Sequence, residues 1–138
     1  MDISILQVQN RDLVHVHCGY SQIVKYLNYN TIPTSVNRNN VAIFVIFIGG
    51  WANPLIVDWF ADYARIVYDL YADRVKIFMT LNEPTVFCDF SFNTGIHAPG
   101  VVSTGIGNYL CNKHVLLAHA KAWRIYDKEF RPKYNGKR

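Results

Sequence analysis

Two neighbouring polar residues, Asn82 and Glu83, are the first candidates for chemistry. They follow the apolar run "VKIFMTL", Pro84 comes directly after them, and Glu83 is one of only two glutamates in the chain. A carboxylate at the end of a buried strand can act as a general acid or base, as a nucleophile or as a metal ligand. In the structural alternative, Glu83 caps a loop or pairs with Arg74 or Lys76.

The histidines are the next candidates. His15 and His17 form an H-x-H pair, but a metal site needs further ligands and none is near in the sequence, so we expect no metal and no cofactor. His97 lies in the segment "HAPG", close to the expected mouth of the site, where a loop role is favoured. His114 and His119 are expected to be packing or solvent-exposed residues.

The cysteines and the apolar segments give information about the cellular compartment of the protein but do not determine it. Cys18, Cys88 and Cys111 lack metal-ligand spacing, and both one disulfide with a free thiol and three free thiols are compatible with the sequence. The chain does not open with a signal-peptide pattern. The longest apolar run, "VAIFVIFIGGW", is shorter than the roughly 20 residues that span a bilayer, so we expect no membrane partner.

The net charge of +4 is concentrated near the C-terminal end of the sequence. Eight basic residues lie between Lys113 and Arg138, against the two acids Asp127 and Glu129. A nucleic-acid patch is one interpretation, but no recognition motif or set of stacking aromatics accompanies the charge. The pattern favours the solvated face of a helix, so we expect no nucleic-acid partner and place Glu129 on the surface.

Strands that alternate with helices are predicted to position Asn82 and Glu83. The run 41–47 is typical of a strand covered on both faces, and 75–81 is a second such run. A helix between them is predicted to begin with Asn53 as N-cap and Pro54 as the first helical residue. After the second strand we predict a loop over 88–108 and a long helix over 108–130, with Pro132 beyond its end.

The helical spacing also predicts which faces are buried. Pro84 is expected to keep Glu83 extended. The first helix is predicted to bury a stripe formed by Ile56, Phe60, Tyr63, Ala64, Val67 and Leu70. The long helix is predicted to turn inward Leu110, Leu117, Ala120 and Trp123. Burial beside Phe78, Trp51 or Phe87 would favour the protonated form of Glu83 that a proton donor needs.

The fold class that follows is α/β with about two βα units and no closed barrel; that these units are a fragment of a (β/α)8 barrel is what the family resemblance described below implies. Alternating strands and helices predict parallel strands with right-handed crossovers. A closed barrel needs roughly 250 residues, whereas the chain has 138. We assign 41–138 to the partial barrel and leave 1–40 unassigned and irregular, because that segment carries weak patterns and an Asn-rich stretch.

Several blocks resemble the family one glycoside hydrolases, the β-glucosidase and myrosinase-like enzymes. "TLNEP" is similar to the family's Thr-x-Asn-Glu-Pro signature. "GGWANPLIVDWFADYARIVYDLYADRVKIFMTLNEP" resembles its third helix and fourth strand, "GIHAPG" its next loop, and "YLCNKHVLLAHAKAWRIYDKEFRPKYNGK" its next helix. The four blocks cover Gly49 to Lys137, about two thirds of the chain, in the family's order.

The resemblance implies an activity and roles for two residues. The family hydrolyses β-glycosides with retention of configuration on a (β/α)8 barrel, which implies a β-glycoside substrate. Glu83 matches the acid/base, and Asn82 matches the residue that binds the sugar 2-hydroxyl. Plant myrosinases carry glutamine at the acid/base position, whereas glutamate is retained here. Full-length members are compatible with an extracellular or secretory-pathway location.

The chain departs from the family pattern at three places. A retaining glycosidase needs a second carboxylate about 5–5.5 Å from the acid. In the family this is a glutamate in a downstream Thr-Glu-Asn-Gly block, which is absent from these residues. The early sugar-binding glutamine and the Tyr-His-Trp-Asp-Leu-Pro block before "GGW" are also missing. The alternative to a β-glucosidase-like enzyme is therefore a truncated, inactive family member. The aromatics Phe87, Phe90 and Phe92 are candidates for an aglycone wall or for loop packing.

Overall fold

The computed structural model describes residues 14–15, 48–75 and 78–134. The elements, in chain order, are β1 (Val14–His15), a 3-10 turn (Gly50–Ala52), α1 (Ile56–Tyr71), β2 (Phe78–Met79), α2 (Pro84–Phe92), α3 (Gly107–Ile125), a π-helical turn (Tyr126–Phe130) and α4 (Arg131–Tyr134). β1 and β2 pair in parallel, with Val14 opposite Phe78. The described strands form this one two-stranded sheet and no closed barrel.

Helix α1 buries the stripe that its sequence predicts, except that Tyr63 is only half-buried and Leu70 is exposed. Ile56, Phe60, Ala64 and Val67 are buried, together with Ala61 and Tyr68. Leu70 is exposed, because it lies about 100° around the helix from the centre of this stripe at 3.6 residues per turn. The helix begins at Ile56, two residues later than predicted, yet Asn53 Oδ1 still accepts a hydrogen bond from Leu55 N–H at 2.9 Å.

Helix α3 packs against α1 through a stripe that the sequence analysis misplaced. The buried side chains are Cys111, His114, Val115, Ala118, Ala122 and Ile125. The predicted inward residues Leu117 and Trp123 are exposed, since both lie about 100° or more around the helix from that stripe. Small residues on the buried faces of α1 and α3 allow the two helices to approach closely. Lys121 of α3 also pairs with Asp58 of α1.

The segment after β2 is helical where a loop was predicted. β2 itself comprises only Phe78 and Met79, within the predicted strand 75–81, and α2 then begins at Pro84. Pro84 has the φ of a first helical residue and needs no donor there, so it starts α2 instead of a loop. The predicted loop is therefore confined to 93–106. Gly107 lets the chain pass close to α2, because a Cβ there would lie 2.9 Å from Phe92 Cδ1.

An aromatic cluster lies between β2 and the end of α3. Tyr68 contacts Phe78, Tyr126 and Phe130 with ring centroids 4.9, 5.1 and 5.5 Å apart. The wider π-helical turn puts Tyr126 and Phe130 into this cluster. The helical path then continues through α4, which contains Pro132, so the prediction that Pro132 lies beyond the helix is wrong.

Several predictions fall outside the described residues. The strand predicted at 41–47 belongs to this group, as does most of the unassigned segment 1–40, of which only Val14 and His15 are described. His17 and Cys18 also lie outside. Within the described ranges, no helix has the length and apolar composition that a membrane span requires.

Candidate functional site

Asn82 and Glu83 lie beyond the C-terminal end of β2, three and four residues after Met79, on a sharp turn into α2. Glu83 has φ 43° and ψ 57°, the left-handed helical conformation, and among the described residues it is the only non-glycine residue with positive φ. The prediction that Pro84 keeps Glu83 extended is therefore wrong. Proline favours the extended region for the residue before it, so the left-handed conformation of Glu83 departs from that preference.

Hydrogen bonds to the Glu83 carbonyl define this turn. The backbone N–H groups of Val86 and Phe87 donate to Glu83 O at 3.0 and 3.3 Å, which places Glu83 at the N-cap position of α2. The left-handed conformation costs an ordinary residue about 1–2 kcal/mol relative to glycine. Such conformations persist only where the surrounding structure imposes them, and they cluster at functional sites.

The side chains of Asn82 and Glu83 are exposed to solvent. The burial of Glu83 beside Trp51, Phe78 or Phe87 that was expected from the sequence is not found. Within 48–75 and 78–134, neither side chain forms a hydrogen bond or ion pair with a described residue, and Glu83 makes no side-chain cap. Arg74 pairs with Asp73 at 2.9 Å, not with Glu83.

The aromatics after β2 separate into two environments. Phe87 is half-buried and packs on Trp51, with ring centroids 5.9 Å apart. Phe92 is fully buried in the core, so it cannot line an open aglycone wall. Phe90 is exposed and meets His97 edge-on at 5.1 Å. Of the three candidates for an aglycone wall, Phe87 and Phe90 have solvent-exposed surface. His97 contacts Phe90.

Histidines link α3 to the segments that hold the turn. His119 Nδ1 lies 2.7 Å from Thr80 Oγ1, three residues before Glu83. His114 is buried, and its Nδ1 lies 3.0 Å from the carbonyl oxygen of Trp51. Both residues were expected only to pack or to face solvent. The connection from Thr80 to His119 crosses 39 residues of sequence, and no local pattern reveals a contact of that kind.

A disulfide makes a second link from the turn to α3. Cys88 in α2 and Cys111 in α3 are bonded to each other, with Cα atoms 5.7 Å apart. The sequence left open whether the chain has one disulfide or three free thiols, and the structure has the disulfide. The cysteines were not recognised as partners, because the predicted inward face of the long helix was centred on Leu110 and Leu117 rather than on Cys111.

The second glutamate is held in a different way. Arg65 donates from Nε to Glu129 Oε2 and from Nη2 to Glu129 Oε1, each at 3.1 Å. This paired hydrogen bond holds the pKa of Glu129 below its ordinary value, against a smaller opposing effect of desolvation, and the charges of Arg65 and Lys133 add to the lowering. Glu129 therefore joins the π-helical turn to α1, as a surface residue with 43% of its side chain exposed.

No described group of residues has the composition of a metal site. Among the residues that the structure describes, no three side chains of His, Cys, Asp or Glu cluster together. The arrangement at the turn consists of one solvent-exposed carboxylate and one amide on a rigid backbone. Its chemical capacity is proton transfer and hydrogen bonding to a ligand.

The parallel strand pair and its helices form part of an α/β fold. Comparison with known proteins identifies the family. The model of the family "Glycosyl hydrolase family 1" matches residues 20–136, beginning upstream of the Gly49 block. The chain belongs to this family.

Individual relatives agree with this assignment. The chain is 40% identical over 120 residues to myrosinase 1 of Brevicoryne brassicae, which covers 79% of this chain and 26% of that protein. The structure of an aphid myrosinase is similar with a TM-score of 0.65 and 38% identity, covering 70% of this chain and 21% of the other. A rice β-glucosidase mutant in covalent complex with Glc is similar with a TM-score of 0.61 and 33% identity, covering 64% and 21%.

These relatives are much longer than the chain. It spans about a quarter or less of each of them. The structural neighbours are TIM-barrel glycoside hydrolases, so the described α/β segment corresponds to part of a barrel.

Proposed function

We propose that this chain is part of a retaining β-glycosidase, to which it contributes about two βα units and the proton donor. The observation that carries the proposal is the turn at Glu83. Glu83 presents a solvent-exposed carboxylate on a left-handed backbone, four residues after a parallel strand. This supports the proposal, because barrel enzymes bind their substrates beyond the C-terminal ends of their strands.

The proposed roles follow from the chemistry of glycoside hydrolysis. The Glu83 carboxyl group donates its proton to the glycosidic oxygen as the bond to the anomeric carbon breaks, and a second carboxylate attacks that carbon. The Glu83 carboxylate then takes a proton from the water that releases the sugar. Asn82 precedes Glu83 on the turn and donates a hydrogen bond to the sugar 2-hydroxyl. The covalent Glc complex of the rice relative supports a mechanism with a glycosyl intermediate.

The second carboxylate is the part that these residues do not supply. Glu129, the other glutamate, is bound through both carboxylate oxygens by Arg65 and lies on the π-helical turn, not at a strand end. We therefore propose that the 138-residue polypeptide has no glycosidase activity by itself. Activity requires a protein in which a nucleophile faces Glu83.

A chimera tests the role of Glu83. Residues 49–134 would replace the matching segment of the rice β-glucosidase, and hydrolysis of an alkyl and an activated aryl β-glucoside would be compared. We expect Glu83→Gln to lower kcat about 10²–10⁴-fold for the alkyl glucoside, whose leaving group needs a proton. Formation of the glycosyl intermediate from the aryl glucoside should be much less affected.

Glu129→Gln is the matched control, because it removes the same charge from the same segment. We expect its kcat and KM to stay within about twofold of the parent chimera, as for a surface substitution. An active chimera in which Glu83→Gln hydrolyses the alkyl glucoside as fast as the parent does would refute the assignment.

A further inference from the structure

The strained turn at Glu83 depends on the helix that follows it. The left-handed backbone of Glu83 is accompanied by hydrogen bonds from Val86 and Phe87 to its carbonyl, and these donors belong to the first turn of α2. If α2 moves away from the protein, the donors move with it. Without those hydrogen bonds, nothing in the described contacts of Glu83 offsets the cost of its left-handed conformation.

The anchors of α2 lie between one and two and a half turns beyond Glu83. Phe87 contacts Trp51, Phe92 is buried, and Cys88 is bonded to Cys111 with both cysteines completely buried. By contrast, Thr85 and Val86 are exposed, so the first residues of the helix have little packing of their own. Of these anchors, only the disulfide is covalent, and it ties α2 to α3, the longest helix of the described residues.

We propose that Cys88 and Cys111 are positioning residues, whose disulfide acts through α2 to hold Glu83 in its left-handed conformation. The proposal rests on the proposed function in one respect: if Glu83 is the proton donor, its orientation affects catalysis. Reduction by a dithiol transfers two electrons to the disulfide, forms two thiols on the protein and leaves the reductant as a disulfide. The first turn of α2 is then free to shift, and Glu83 relaxes toward the extended conformation that usually precedes proline.

The two glutamates make a direct test possible in the 138-residue chain. Selective labelling with ¹³C,¹⁵N-glutamate gives two backbone amide signals, one from Glu83 and one from Glu129, and Glu83→Gln assigns them. The ¹³Cα shift and the HN–Hα coupling of each residue report its φ and ψ. We expect dithiothreitol to shift the Glu83 values from left-handed to extended, while the values for Glu129, held by Arg65, stay helical.

A double variant tests the same point without a reductant. Cys88→Ala with Cys111→Val keeps both buried positions apolar and removes the bond. We expect its Glu83 values to match those of the reduced chain and its Glu129 values to match those of the oxidised chain. Cys18→Ser, which leaves the disulfide intact, should give the oxidised values for both glutamates.

Two results would overturn the proposal. One is a left-handed Glu83 in the reduced chain and in the double variant, which would show that packing alone holds the turn. The other is loss of the helical Glu129 values together with those of Glu83, which would show that the disulfide supports the whole fold. Because the readout is conformational, it is independent of the chimera assay, and either proposal can fail while the other stands.

Discussion

The two glutamates of this chain lie in regions that differ in backbone, partners and exposed charge. Glu83 is on a strained turn, and its carboxylate has no side-chain partner within the described ranges. Glu129 is on a helical backbone, and Arg65 binds both of its carboxylate oxygens. The backbone conformation of Glu83 thus lowers the stability of the fold, whereas the contact of Glu129 with Arg65 raises it slightly.

The difference is the one expected if Glu83 is the functional carboxylate that we propose and Glu129 is a structural one. An ion pair across two helices explains why Glu129 is present, because it contributes to the contact between α1 and the π-helical turn. The environment of Glu83 offers no such explanation in terms of folding. Strain that is maintained at a solvent-facing carboxylate is typical of a site that must present the group to a ligand.

The test with the largest expected effect measures the glycosidase activity of the 138-residue polypeptide alone. A retaining glycosidase needs two carboxylates, and if Glu129 is purely structural, Glu83 is the only glutamate of residues 1–138 that is left for this role. We expect no turnover of an activated aryl β-glucoside above the rate given by a Glu83→Gln preparation purified in the same way. The release of the aryl alcohol, followed by absorbance over hours, is the measurement.

The opposite result would remove the contrast between the two glutamates. Turnover that both Glu83→Gln and Glu129→Gln abolish would mean that Glu129 serves as the second carboxylate. The separation of the two residues into a functional and a structural one would then be wrong.

The family could be recognised from "TLNEP" and the blocks around it, and the matching family model confirms it. The roles of Asn82 and Glu83 stay predictions. The left-handed turn could not be recognised, because it depends on where α2 is anchored. That anchor is a bond between Cys88 and Cys111, 23 residues apart, and neither spacing nor composition reveals such a pairing.

The errors in the fold have a similar origin. Helical spacing placed Leu117 and Trp123 on the buried face, yet the buried stripe of α3 is centred on Cys111, Val115, Ala118 and Ala122, which pack against α1. The loop predicted over 88–108 is wrong over 88–92, because the helix that begins at Pro84 continues to Phe92. Spacing along one helix does not show which of its faces meets a neighbouring element.

A second test compares the effect of glycine at the two positions. Glu83→Gly removes the steric cost of the left-handed conformation, so we expect the free energy of unfolding to rise by about 0.5–1 kcal/mol. Glu129→Gly places glycine in a helical segment and removes the contact with Arg65, so we expect a fall of about 1–2 kcal/mol. Urea unfolding followed by circular dichroism measures both changes.

Alanine variants separate the backbone effect from the loss of the carboxylate. Glu83→Ala removes the charge but keeps the strained φ, so it should give no gain in stability. A stabilising Glu83→Ala, or a destabilising Glu83→Gly, would show that the turn is not strained. Glu129→Ala should lose only the contact with Arg65, and therefore less than Glu129→Gly.

The smallest expected effect concerns the pH dependence of the Arg65–Glu129 pair. The hydrogen bonds from Arg65 lower the pKa of Glu129 in the folded chain from its ordinary value of 4.5, so the folded state favours the charged carboxylate. The contribution to stability is therefore complete above pH 4.5 and is lost as the pH falls through the lowered pKa. Since the pair is about half exposed, solvent screening limits this contribution to less than about 1 kcal/mol.

A double-mutant cycle isolates that contribution from the other acids. We expect Arg65→Gln and Glu129→Gln to show a coupling energy below about 1 kcal/mol at pH 7, measured by urea unfolding, and none at a pH below the lowered pKa of Glu129. Asp62 also pairs with Arg65, with Oδ1 3.5 Å from Nη1, so the cycle is repeated with Asp62→Asn. A coupling that persists unchanged at the lower pH would contradict a charged contact, and Glu129 would then need an explanation other than its pairing with Arg65.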